Sequence, residues 1–177
     1  MKRISVFLIA FLVYHSGFCQ KYASIALNSY FPKFGFSPGT ELNLGYILKD
    51  KESRKRNYMI GVGANFELLS AKIPYLPIYA QAGYFNSLDK ITPYVLARLG
   101  YGIYNGTGAP IRENVDKLKG GVFMDLRTGI GLQINKSKSF APFIGLSYIM
   151  FQPKESKNEN DYYKAFINAG VALIIFH

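Results

Sequence analysis

Residues 58–68 read YMIGVGANFEL. Every second residue from Tyr58 is apolar, so Tyr58, Ile60, Val62, Ala64, Phe66 and Leu68 fall on one face of an extended chain. Gly61, Gly63 and Glu67 fall on the other. A period of two predicts a β-strand with two unlike faces. The pattern recurs, between polar turn clusters, over Tyr22–Tyr30, Thr40–Leu48, Leu76–Phe85, Ile91–Tyr104, Val122–Ile134, Phe140–Phe151 and Tyr163–Phe176. That gives eight strands. No run of about 18 apolar residues follows position 19, so no helical membrane span is expected there.

The second faces carry the information. Six charged residues lie within the predicted strands, and all six oppose the apolar stripe: Glu41, Glu67, Asp125, Arg98, Arg127 and Lys164. Three acids match three bases. Asn43, Gln81 and Asn168 share that face with a set of glycines that includes Gly100, Gly129, Gly145 and Gly170. In a soluble barrel the apolar face is buried; in a membrane barrel it meets lipid and the polar face lines the lumen. Balanced charge suits an enclosed lumen, where an unpaired ion is costly. The apolar faces also end in aromatics. Tyr46, Tyr58, Tyr84 and Phe140 mark one rim and Phe31, Phe66, Tyr101, Tyr148 and Tyr163 the other, with aliphatics between. Two membrane interfaces select that distribution. The expected fold is therefore all-β: an eight-stranded antiparallel up-and-down transmembrane β-barrel. Its interior is just wide enough for side chains. Arg98, Arg127, Lys164, Tyr94, Phe123 and Phe143 are expected to fill it, leaving a plugged or very narrow lumen.

The chain opens with Met1-Lys-Arg3, then the apolar run Ile4–Val13, then small residues at Gly17 and Cys19. This is the layout of a secretory signal peptide, expected over residues 1–19, with the barrel domain over 20–177. Cleavage there removes Lys2 and Arg3, and the formal net charge of +10 falls to +8. It also removes the single Cys, in keeping with an oxidising envelope. The 49% hydrophobic content excludes a disordered chain.

An exported chain of this length, with eight amphipathic strands and a last strand ending Val171-Ala-Leu-Ile-Ile-Phe176, resembles the small eight-stranded outer-membrane β-barrel proteins of Gram-negative envelopes, OmpA/OmpX-like and porin-like barrels. The stretch 141–148, APFIGLSY, resembles their penultimate strand. The resemblance implies a location in the cell outer membrane, with outer-membrane lipids and the barrel assembly machinery as partners. Starting from the periplasm, the inner turns are expected at 49–57, 86–90 and 135–139. The outer loops are expected at 31–39, 69–75, 105–121 and 152–162. Loop 105–121 is the longest and the first place to expect an extracellular partner.

Other classes find little support. With His15 in the leader, His177 is the one histidine left, at the wrong end for an outer-leaflet hydrolase or acyltransferase. No His/Cys metal cluster occurs, and residues 105–108, NGTG, lack the Lys-Ser/Thr of a phosphate loop. No catalytic residue, cofactor or metal is expected. The pI near 9.6 invites a nucleic-acid reading, but the bases are dispersed over turns and often sit beside acids. The densest patch, Lys49–Arg56, holds five bases and two acids. The expected function is a structural or loop-mediated recognition role, with Glu41, Glu67, Arg98, Asp125, Arg127 and Lys164 as a stabilising lumen network. One alternative is a soluble periplasmic barrel binding an apolar ligand, which would bury Leu44, Val62 and Leu132 and expose Glu67 and Asp125. A second is an envelope-lipid-modifying barrel enzyme.

Overall fold

The computed structural model of the protein describes residues 19–31, 37–49, 56–69, 73–86, 90–106, 118–153 and 162–177. Nine segments are extended: β1 (Cys19–Phe31), β2 (Ser37–Lys49), β3 (Arg56–Leu69), β4 (Ile73–Asn86), β5 (Ile91–Gly106), β6 (Leu118–Lys119), β7 (Val122–Asn135), β8 (Lys138–Pro153) and β9 (Tyr162–Phe176). Each long strand pairs antiparallel with the next. β9 returns to β1, from Tyr22 opposite Phe176 to Phe31 opposite Ile167. The sheet is a closed barrel, so every backbone donor in the wall can find a partner without water.

The nine segments make eight staves. β6 sits between β5 and β8, where β7 would continue. The two are one wall strand interrupted at Gly120–Gly121. There the Gly102 amide donates to Gly121 at 2.8 Å and the Gly120 amide donates to Tyr104 at 3.2 Å. A Cβ on Gly120 would overlap the Gly102 carbonyl, so this close approach requires glycine. The interruption hides β6 from a period-two reading, which placed it in loop 105–121. Asn105 and Gly106 also belong to the wall. Residues 1–18, with the expected signal peptide, and 107–117, the centre of the expected recognition loop, lie outside the described residues.

Alternation sets the two surfaces. The exterior carries Leu44, Val62 and Leu99 at 60–62% exposure. Glu67 and Asp125 are buried inside. These positions are the reverse of those that a soluble barrel with an apolar core would adopt, and they overturn that alternative. Aromatics border the aliphatic belt: Tyr58 and Tyr84 lie 5.7 Å apart at one end, and Tyr148 stacks on Tyr163 at 5.7 Å toward the other. If this belt meets hydrocarbon, Val62→Arg should cost about 2–4 kcal/mol, and Tyr58→Arg, at the rim, only about 0–1 kcal/mol. Urea unfolding in lipid vesicles measures both; equal costs would contradict a depth-dependent lipid contact.

Candidate functional site

The interior is built from cross-strand rungs. One runs through Tyr22, Gly45, Gly61, Gln81, Arg98, Asp125 and Ser147, each opposite the next on neighbouring strands. The Tyr22 ring lies over the Gly45–Gly61 pair, where any Cβ would overlap it. Its hydroxyl thereby reaches Gln81, whose amide donates to it. Gln81 in turn accepts from Arg98 Nε at 3.1 Å. The adjacent rung repeats the device: Tyr79 reaches over Gly63 and donates to Asn43 Oδ1 at 2.9 Å.

Glu41, on β2, receives both arginines across the lumen. Arg98 donates through Nη1 at 2.9 Å and Nη2 at 2.6 Å, and Arg127 donates through Nη1 at 2.8 Å. Asn43 and Asn28 donate to the same carboxylate. Asp125 Oδ2 pairs with Arg127 Nε and, at 3.5 Å, with Arg98. Its Oδ1 accepts from Ser147 and Asn168, both at 2.7 Å. The arginine planes also pack on rings, Arg98 over Tyr79 and Arg127 over Phe143, at 4.7 and 4.3 Å. These four ionic side chains form a waist.

The other two members of the expected six stand apart. Glu67 is fully buried, and the Asn65 amide donates both to it and to the Tyr30 hydroxyl. Lys164 shares the inward face but is half-buried, in register with Ile149. The buried ionic set is thus three acids against two bases. The asparagines, Gln81 and Ser147 supply its further hydrogen bonds, while Glu67 Oε2 and Arg127 Nη2 have no hydrogen-bond partner among the described residues. Of the two linking tyrosines, Tyr79 was legible from parity alone, whereas Tyr22 lies in the least regular block.

Above the waist, toward the undescribed residues 107–117, the lumen is packed. Tyr30, Tyr75, Tyr79, Tyr104, Phe123, Phe151 and Phe166 join Ile149 in one buried cluster. Rings meet at 5.3–6.4 Å. Below the waist, toward the turn Lys136–Ser137, the lumen opens into a cavity of about 650 Å³. This corrects the expectation of a lumen filled throughout. Tyr94 and Phe143 line the cavity without filling it, and Lys164 lies at the opposite end.

No protein-family model matches the chain, and no curated protein matches it in sequence. Among solved structures, the crystal structure of neisserial surface protein A is similar over 89% of this chain and 95% of that one, at 11% identity and a TM-score of 0.55. The N-terminal β-barrel domain of Pseudomonas aeruginosa OprF aligns over 90% and 99% at 15% identity, with a TM-score of 0.49. The outer membrane enzyme PagL aligns over 86% and 98% at 15% identity, with a TM-score of 0.46. The chain has the eight-stranded outer-membrane β-barrel fold, as in neisserial surface protein A.

Removing one member of a buried ion pair strands the other. Arg98→Leu leaves the lumen with an additional unmatched negative charge. It should cost about 3–5 kcal/mol while still permitting export. Adding Glu41→Gln in the same chain should restore part of the loss. An unfolding midpoint for Arg98→Leu equal to that of the parent would remove the waist from any account of stability.

Proposed function

We propose that the protein is an outer-membrane barrel whose lumen is closed to flow and whose role is structural anchoring or recognition through its loops. One observation carries this reading: an apolar belt faces outward on all sides while an ionic waist and an aromatic plug close the interior. The belt gives it a bilayer as solvent, so outer-membrane lipids are its first partners. Among the described residues, the waist and plug occupy the section of the lumen that an aqueous path would have to cross. β5 and β6, which flank residues 107–117 in the chain, meet at the plugged end, and that segment of the expected loop 105–121 is the first place to seek an extracellular partner. The barrel assembly machinery is the expected route into the membrane, although Phe176 borders the cavity rather than the lipid.

An envelope-lipid-modifying enzyme is the second reading, and the geometry supports it less. Its carboxylates would have to meet lipid near the outer rim, and Glu67 and Asp125 both face the lumen. The aromatic and ionic fittings of the lumen already account for them.

Two measurements test the closed barrel. The outer-membrane fraction should show a heat-dependent shift in gel mobility, because a folded barrel resists SDS until boiled. The purified protein in planar bilayers should give no large steady single-channel current. Steady conductance would overturn the closed-lumen reading, and recovery in the soluble periplasmic fraction without a shift would overturn the membrane reading.

A further inference from the structure

A water-filled lumen should have polar walls. The cavity below the waist is instead lined by a larger share of apolar surface, with Gln20, Asn57, Thr92, Gln133 and Ser139 as polar members of its wall. Ile47, Met59, Leu96, Phe143, Ile174 and Phe176 line it, on five different strands. Its volume of about 650 Å³ lies within the range of small-molecule sites. Gly131 and Ala172, small residues on β7 and β9, help to keep it open.

The mouth is cationic. Lys49 and Lys136 line the cavity itself. Lys21, Arg56, Lys90 and Lys138 are exposed at the same end. The described acids are Glu41, Glu67 and Asp125, and all three are buried in the lumen away from that rim. Residues 50–55 and 87–89, with three acids and three bases, lie outside the described residues.

We propose that this cavity and its basic collar form a binding site for an anionic single-chain amphiphile, with the chain inside and the acidic head at Lys49 and Lys136. The reverse orientation is disfavoured. At the floor Arg98 and Arg127 are already matched by Glu41 and Asp125, so a buried head group there would add an uncompensated charge. At the rim the head keeps water and gains nearby cations. The apolar chain replaces water against apolar walls. This site goes beyond the closed-barrel reading and rests on it only for the barrel wall.

The methionines supply the test. Met59 lines the cavity, whereas Met124 lies on the outer face. The folded full barrel, verified by its heat-dependent gel shift, is placed in phosphatidylcholine nanodiscs with methyl-labelled methionine and titrated with dodecanoate at alkaline pH. A saturable shift of the Met59 methyl, with Met124 unmoved, is expected. Dodecyltrimethylammonium, with the same chain and opposite charge, should bind at least about tenfold more weakly, and so should dodecanoate to K49Q/K136Q. Ala172→Phe should abolish the Met59 response by occupying the cavity. Should that variant not fold, the rim pair still decides, since both lysines are exposed. A linear shift at both methionines (partition into bilayer only), no shift at Met59 (a water-filled cavity only), or equal affinity for the two head groups would each overturn the proposal while leaving the gel shift intact.

Discussion

Glu41 is the acceptor on which both lumen arginines converge, and the interior is organised around that convergence. The carboxylate projects from β2, Arg98 from β5 and Arg127 from β7, so the bonds tie walls that are not neighbours in the sheet. Backbone ladders fix each strand only to the next. Cross-lumen ion pairs fix the barrel's cross-section instead. Their cost is desolvation, which in a low-dielectric interior can exceed the Coulomb gain unless the remaining donors and acceptors are also satisfied. The uncharged fittings matter for that reason: Asn28 and Asn43 on Glu41, Gln81 on Arg98, and Ser147 and Asn168 on Asp125.

The tyrosine–glycine arrangement solves a related problem. A narrow barrel cannot hold large inward residues on adjacent strands at one height. Here a tyrosine on one strand lies over glycines on the next, and its hydroxyl acts two or three strands away. A single ring thereby fills lumen volume and carries a polar atom to the waist. The glycines in the polar face, legible as small spacers, are the floor that these rings need.

How much of this was legible follows from what alternation encodes. Parity assigns a residue to a face, and it placed Glu41, Arg98, Asp125 and Arg127 inward together. It says nothing of height along the barrel axis. Height depends on strand register and on the stagger that closure imposes, and it is height that separates Lys164 and Glu67 from the waist. β6 escaped because Gly120–Gly121 breaks the alternation that reveals the rest of its stave. The cavity escaped for a different reason. Inward Tyr94 and Phe143 look large enough in sequence to fill a narrow interior, but free volume is set by what faces them, and Gly131, Ser24, Ser139 and Ala172 are small.

The waist divides a lumen of two unlike characters. On the side of residues 107–117, rings pack against rings and exclude water. On the turn side the wall is mixed, and its apolar side chains place a larger share of hydrocarbon-like surface around open volume. Packing alone does not call for that asymmetry. A barrel selected only for rigidity would gain by continuing the aromatic packing downward, since each unfilled methyl-sized void costs about 1 kcal/mol. Rings are already present at Phe85, Tyr94 and Phe143, so larger inward side chains suit this chain. The retained space, the larger apolar share of its lining and the surplus of cations among the described residues at its mouth are three departures from the simplest stable interior, and they coincide at one end of the molecule.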